Sequence, residues 1–123
     1  MKAEEIAVNV FKVLQKDIDA TAEEHGFNDD WNIAQTAAQR NLINGMKIAL
    51  VHSELSEALE AIRRNIVKDD HLPEFTGAEA ELADAVIRIL HIAEQNKLRL
   101  GEAILAKMKY NAGRPFRHGG KAF

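Results

Sequence analysis

The chain has no cysteine, which excludes disulfides and thiolate metal sites and fits a cytoplasmic protein. It has two prolines, Pro73 and Pro115, so almost nothing interrupts helix formation before the C-terminal end. Aromatic residues are scarce, and few β-branched runs compete for strand structure. Long apolar runs are missing too. The longest aliphatic stretch, Ile48 to Val51, is far short of the roughly 20 residues a membrane span needs. The opening Met-Lys-Ala-Glu-Glu lacks the apolar centre of a signal peptide. A strong positive charge is absent as well: the net charge is −3, so no nucleic-acid polymer is expected as a partner. These absences predict a soluble all-α protein with no membrane partner.

What remains is rich in alanine, leucine, glutamate and lysine, which lose little side-chain freedom in a helix. At 123 residues the chain fits one domain, read here as residues 1–112, followed by a basic, glycine-containing arm over 113–123. A first helix is predicted from about Ala3 to Glu24, with Ile6, Val10, Val13, Leu14 and Ile18 at helical spacing and Gly26 as its stop. Phe27-Asn28-Asp29-Asp30 offers N-cap residues for the next helix. Trp31 to Arg64 reads as helical, with a break expected near Asn44-Gly45. After a loop from Val67 to Gly77, further helices are predicted over Glu79–Gln95 and Gly101–Asn111. Short loops between such helices predict a four-helix bundle-like protomer.

Two acidic patterns carry the chemistry. Glu54-Leu-Ser-Glu57 and Glu81-Leu-Ala-Asp84 each place two carboxylates three residues apart, on one helix face. Like charges at that spacing repel unless a cation sits between them. If the two helices pack antiparallel, four carboxylates converge on a small volume. Oxygen ligands suit a hard cation such as Mg²⁺, with Mn²⁺ an alternative. Di-iron bundles use Glu-x-x-His pairs, and none of the five histidines has a glutamate three residues before it.

On the predicted third long helix, Glu81, Asp84, Arg88 and His91 fall in a sector about 80° wide. Leu82, Val86, Ile87, Ile89, Leu90 and Ile92 occupy most other directions. A helix apolar nearly all round is expected to be buried, and a charged stripe on it needs a purpose. Glu54, Glu57, Glu81 and Asp84 are therefore the predicted ligands, with Glu60, Arg88 and His91 supporting them. One of Glu57 and Glu54 is the candidate general base.

Beyond Glu102 there is no acidic residue, yet Lys107, Lys109, Arg114, Arg117 and Lys121 come after it. Such cations pair with phosphate oxygens. Trp31, Asn32, Gln35 and Gln39 precede the metal helix and offer stacking or hydrogen bonds to a base, Trp31 and Gln39 foremost.

The run His52-Ser-Glu-Leu-Ser-Glu-Ala-Leu-Glu-Ala-Ile-Arg63, then Glu81-Leu-Ala-Asp-Ala-Val-Ile-Arg-Ile-Leu90, then Lys107 to Lys121 resembles the MazG-like nucleotide pyrophosphohydrolases of the all-α NTP pyrophosphatase superfamily. The resemblance extends from about Gly26 to the C-terminus. It implies that Glu54, Glu57, Glu81 and Asp84 hold Mg²⁺ and that a nucleoside triphosphate is cut between its α and β phosphates. The products are a nucleoside monophosphate and pyrophosphate, and the implied role is nucleotide-pool house-cleaning. It places Lys107, Asn111 and Arg114 on the triphosphate and implies a homodimer or homotetramer assembled through helices. Ser53 stands where the family motif has its first glutamate, and His91 where close relatives often carry aspartate. The alternative is a non-catalytic, metal-dependent nucleotide-binding or regulatory module. A helical protein-interaction domain with only surface acids is the third reading.

Overall fold

The computed structural model describes residues 1–123 and contains six helices and no strand. They are α1 (Ala3–Glu24), α2 (Asp29–Ile33), α3 (Ala37–Arg63), α4 (Gly77–Gln95), α5 (Leu100–Ala112) and the short turn α6 (Arg117–Gly120). No helix is long and apolar enough to cross a membrane.

α1 has the predicted bounds. Gly26 takes φ +80° just beyond it, where only a residue without Cβ is unstrained, and Phe27 N–H closes the end on the Ala22 carbonyl at 2.9 Å. The expected break at Asn44-Gly45 is not there; it falls at Ala34-Gln35-Thr36. Thr36 caps α3 by accepting from Gln39 N–H, while Gln39 Oε1 accepts from the Thr36 and Gln35 N–H groups at 3.0 and 2.7 Å. That is a capping box, legible as Thr-x-x-Gln. Asn44 stays helical because its amide pairs reciprocally with Asn96 at the end of α4, at 2.9 and 2.8 Å. Thr76 and Glu79 form the matching box that starts α4.

α4 is the centre of the domain, with α3 on one side and α1 on the other, and α5 packs against α1. α3 and α4 run antiparallel: Asn44 meets Asn96, Lys47 meets Gln95 and Glu54 meets Arg88. The buried apolar side chains are mostly small, including Ala58, Ala85 and Ala93, with Val51, Leu90 and Ile92. Small residues let the helix backbones approach closely.

α4 is not enclosed as its sequence predicts. Leu90 and Ile92 are buried, but Leu82, Val86, Ile87 and Ile89 remain exposed, because only two helices flank it. Ile6, Val10, Val13 and Leu14 of α1 are exposed too. The four long helices thus pack in the order α3, α4, α1, α5 around a thin core of eleven buried residues.

Where the loop re-enters α4, a Cβ on Gly77 would lie 2.9 Å from Ile66 Cγ2 and 3.2 Å from the Ala61 Cβ. Ala61 Cβ is fixed to the α3 backbone and cannot swing aside. Gly77→Ala is expected to lower stability by about 1–3 kcal/mol through overpacking, read from urea unfolding. An unchanged midpoint would show that the junction relaxes freely.

Candidate metal centre

The antiparallel seam of α3 and α4 brings Glu54, Glu57 and Glu81 together. Each offers a carboxylate oxygen, and these oxygens lie within 4.8 Å of one another. The i, i+3 spacing points Glu54 and Glu57 from the same side of α3, and the helix register sets Glu81 opposite them. Glu54 is the most enclosed: its side chain is 12 % exposed, and Oε1 accepts from Arg88 Nε at 3.0 Å. Arg88 therefore touches a predicted ligand directly.

Burial lifts the Glu81 carboxyl to about 7, and the neighbouring Glu57 and then Glu54 push in the same direction. Asp84 is raised too, first by burial and then by the Glu54 charge, with Arg88 opposing. It stands beside the three glutamates rather than within their tight set, and shares a cavity wall with Glu54 and Arg88.

The donor set is all oxygen and its charges crowd. A divalent cation with oxygen ligands at about 2.0–2.1 Å needs neighbouring oxygens about 3 Å apart, which modest side-chain rotation supplies from this starting separation. The oxygens of Glu54, Glu57 and Glu81 could hold a divalent metal ion, and their all-oxygen chemistry suits a hard one.

The other predicted residues are distributed more widely. Glu60 points away and pairs with Arg63 at 3.5 Å on the exposed side of α3. Ser53 donates its hydroxyl to the Leu50 carbonyl at 2.6 Å, back into its own helix. His91, one turn beyond Arg88 on α4, turns to α1 and the turn after it, where its Nε2 meets Asn28 Oδ1 at 2.8 Å and Asp19 Oδ1 at 3.4 Å. Gln39 spends its amide oxygen on the α3 cap. Trp31 is half-buried with Arg40 and Lys47 over its ring, 5.0 and 5.8 Å from the centroid. Lys107 and Arg114 lie over the Tyr110 ring at 5.1 and 5.8 Å, and Asn111 is exposed nearby. Lys107 and Asn111 belong to α5, whose main packing partner is α1, and Arg114 follows it.

The cavity bounded by Glu54 and Asp84 has a volume of about 510 Å³ and lies between α1, α3 and α4. Lys47, on its wall, is not among the sequence-predicted residues. Its signal is its place at i−7 from Glu54, on the same face of α3.

The Glu81 shift has a thermodynamic consequence. Its carboxyl is near 4.5 when unfolded and about 7 when folded, so the folded state binds the proton more tightly. Without metal, this group's stabilising effect is complete below about pH 4.5 and is lost as pH rises through 7. The wild-type melting temperature, measured against Glu81→Gln to cancel the other groups, should fall across that window. Mg²⁺ should restore it at the alkaline end. Parallel curves for the two proteins would mean Glu81 is not held protonated by its neighbours.

Comparison with protein-family models, with curated proteins and with solved structures finds no match.

Proposed function

We propose that the protein is a Mg²⁺-dependent nucleoside triphosphate pyrophosphohydrolase, releasing a nucleoside monophosphate and pyrophosphate. The observation that carries the proposal is the convergence of Glu54, Glu57 and Glu81, with oxygens within 4.8 Å of one another across an antiparallel helix pair. Asp84, Arg88 and a cavity adjoin them. The MazG-like resemblance of the two acidic motifs and the basic end points the same way.

When bound, the cation supplies neutralisation of phosphate charge and polarisation of the attacking water. Phosphoryl transfer depends on positioning and electrostatics more than on covalent chemistry. Glu54, Glu57 and Glu81 would hold the ion, with Asp84 in support. Glu57 is the more accessible of the α3 pair, which suits it to take the proton from water. Arg88 holds Glu54 in place and carries a cation where phosphate oxygens arrive.

The same proposal includes a homodimer or homotetramer. The single chain exposes 9366 Å², whereas a compact monomer of 13.7 kDa exposes about 6,600 Å². The excess is several times the roughly 800 Å² that each partner commits to a standard interface. A second copy laid on the apolar faces of α1 and α4 would cover part of it. Association would also offer Lys107, Asn111 and Arg114 a partner's phosphate site.

Pyrophosphate release from a panel of ribo- and deoxyribonucleoside triphosphates, with and without Mg²⁺, is the direct test. Metal-dependent release is expected, and Glu57→Gln should lower kcat by about 10² or more while the protein stays folded. Metal-dependent nucleotide binding without release from any triphosphate would instead identify a binding module, in which Ser53 in place of an acid withholds the hydrolytic step. Sedimentation should give a dimer or tetramer at micromolar concentration. A monomer would remove the assembly from the proposal.

A further inference from the structure

We infer that the cavity between α1, α3 and α4 receives the base of the substrate, and that Lys47 and His91 read its edge. The edge selected is a carbonyl oxygen beside a ring N–H, as in uracil, thymine, hypoxanthine or guanine, in preference to the amino bases adenine and cytosine. This inference rests on the pyrophosphohydrolase reading for the identity of the ligand.

The cavity is lined by Glu54, Asp84 and Arg88, by Lys47 and His91, and by apolar side chains such as Ile18, Leu50 and Ile87, and helix register spaces the acids from the pair Lys47 and His91. Lys47 and Glu54 are seven residues apart on α3, as are Asp84 and His91 on α4, so the acids and that pair are separated by about 10 Å. Phosphates held at the acids leave the apolar wall for the sugar and base, and the base edge reaches Lys47 and His91. A mostly apolar cavity with a few convergent polar groups is the general form of a small-molecule site.

Hydrogen bonding fixes what those two groups present. Asn28 is buried, 3 % exposed. Its Nδ2 donates to Asp19 Oδ1 and Glu23 Oε2, each at 2.9 Å. Ionised carboxylates only accept, so the orientation of this amide is settled. Its Oδ1 therefore faces His91 Nε2 at 2.8 Å and Gln95 Nε2 at 2.7 Å. An amide oxygen cannot donate, so the hydrogen is on His91 Nε2 and the neutral ring leaves Nδ1 as an acceptor. Burial, then the Lys47 charge, lower the His91 pKa and favour that neutral ring, against the opposing pull of Asp19.

Lys47 donates one N–H to Gln95 Oε1 and its ammonium lies 5.8 Å from the Trp31 ring centroid, with two further N–H donors. An ammonium donor beside an imidazole acceptor is complementary to a carbonyl oxygen beside an N–H. The ammonium favours a carbonyl oxygen over a ring nitrogen, and it repels the amino group that replaces that carbonyl in adenine and cytosine.

The test uses phosphate-free ligands so that it does not depend on turnover. ¹⁵N-labelled protein is titrated by NMR with deoxyuridine, deoxyinosine, deoxycytidine and deoxyadenosine, and pyrophosphate release is measured from the matching triphosphates. Wild type should bind the oxo nucleosides at least about tenfold tighter than their amino counterparts. Lys47→Met, which keeps the apolar stem, should erase that difference, and Lys47→Arg should recover part of it. His91→Phe is an independent route to the same loss through the acceptor.

Folded Lys47→Met and His91→Phe proteins that discriminate like wild type would overturn the inference, as would equal or absent binding of all four nucleosides. Discrimination without any pyrophosphate release would sink the hydrolase reading and leave the base cavity standing. Release whose base preference neither variant moves would do the reverse.

Discussion

Everything at the centre of this protein depends on how the seam between α3 and α4 tolerates its own negative charge. Two helices packed through alanines bring acidic side chains face to face, where mutual repulsion and loss of water both oppose ionisation. The chain answers in two ways. Arg88 crosses the seam to Glu54, and Glu81 holds its proton up to about pH 7. Neither response is complete: one arginine balances one carboxylate, and a proton at Glu81 is marginal at neutral pH. A divalent cation held by Glu54, Glu57 and Glu81 could balance the remainder.

The same seam explains why the fold is thin. Alanines at 58, 85 and 93 allow α3, α4 and α1 to approach closely, but they contribute little apolar area. Larger side chains such as Leu82, Val86 and Ile89 turn outward. Apolar surface that a closed bundle would bury internally is left exposed.

Much of this could be read from the amino-acid order. The α1 limits come from its apolar spacing and from Gly26, and three of the four expected acids, Glu54, Glu57 and Glu81, meet across the seam, with Asp84 outside their set. The true start of α3 is legible as Thr-x-x-Gln at residues 36–39. It loses to Asn44-Gly45, which looks more like a break when local preference alone is counted. Asn44 is held in the helix by Asn96, fifty-two residues away, and no local pattern encodes such a partner. The exposure of α4 escapes the sequence for a related reason: periodicity shows which faces are apolar, not how many neighbours arrive to cover them.

The Asn28 network is the least legible part and shows why. Asn28 sits in a turn, where asparagine ordinarily signals a cap, and it is in fact the residue before α2. Its side chain makes no cap bond there and instead joins Asp19 and Glu23 of α1 to His91 and Gln95 of α4. Every buried polar side-chain atom in this chain has a partner, so the network is fully satisfied and can hold one arrangement at low cost. That rigidity has a chemical result. Two carboxylates orient one amide, and the amide oxygen on His91 Nε2 leaves the neutral imidazole's other nitrogen as an acceptor. A sequence shows residue types that each have several roles, whereas folding leaves each of them one.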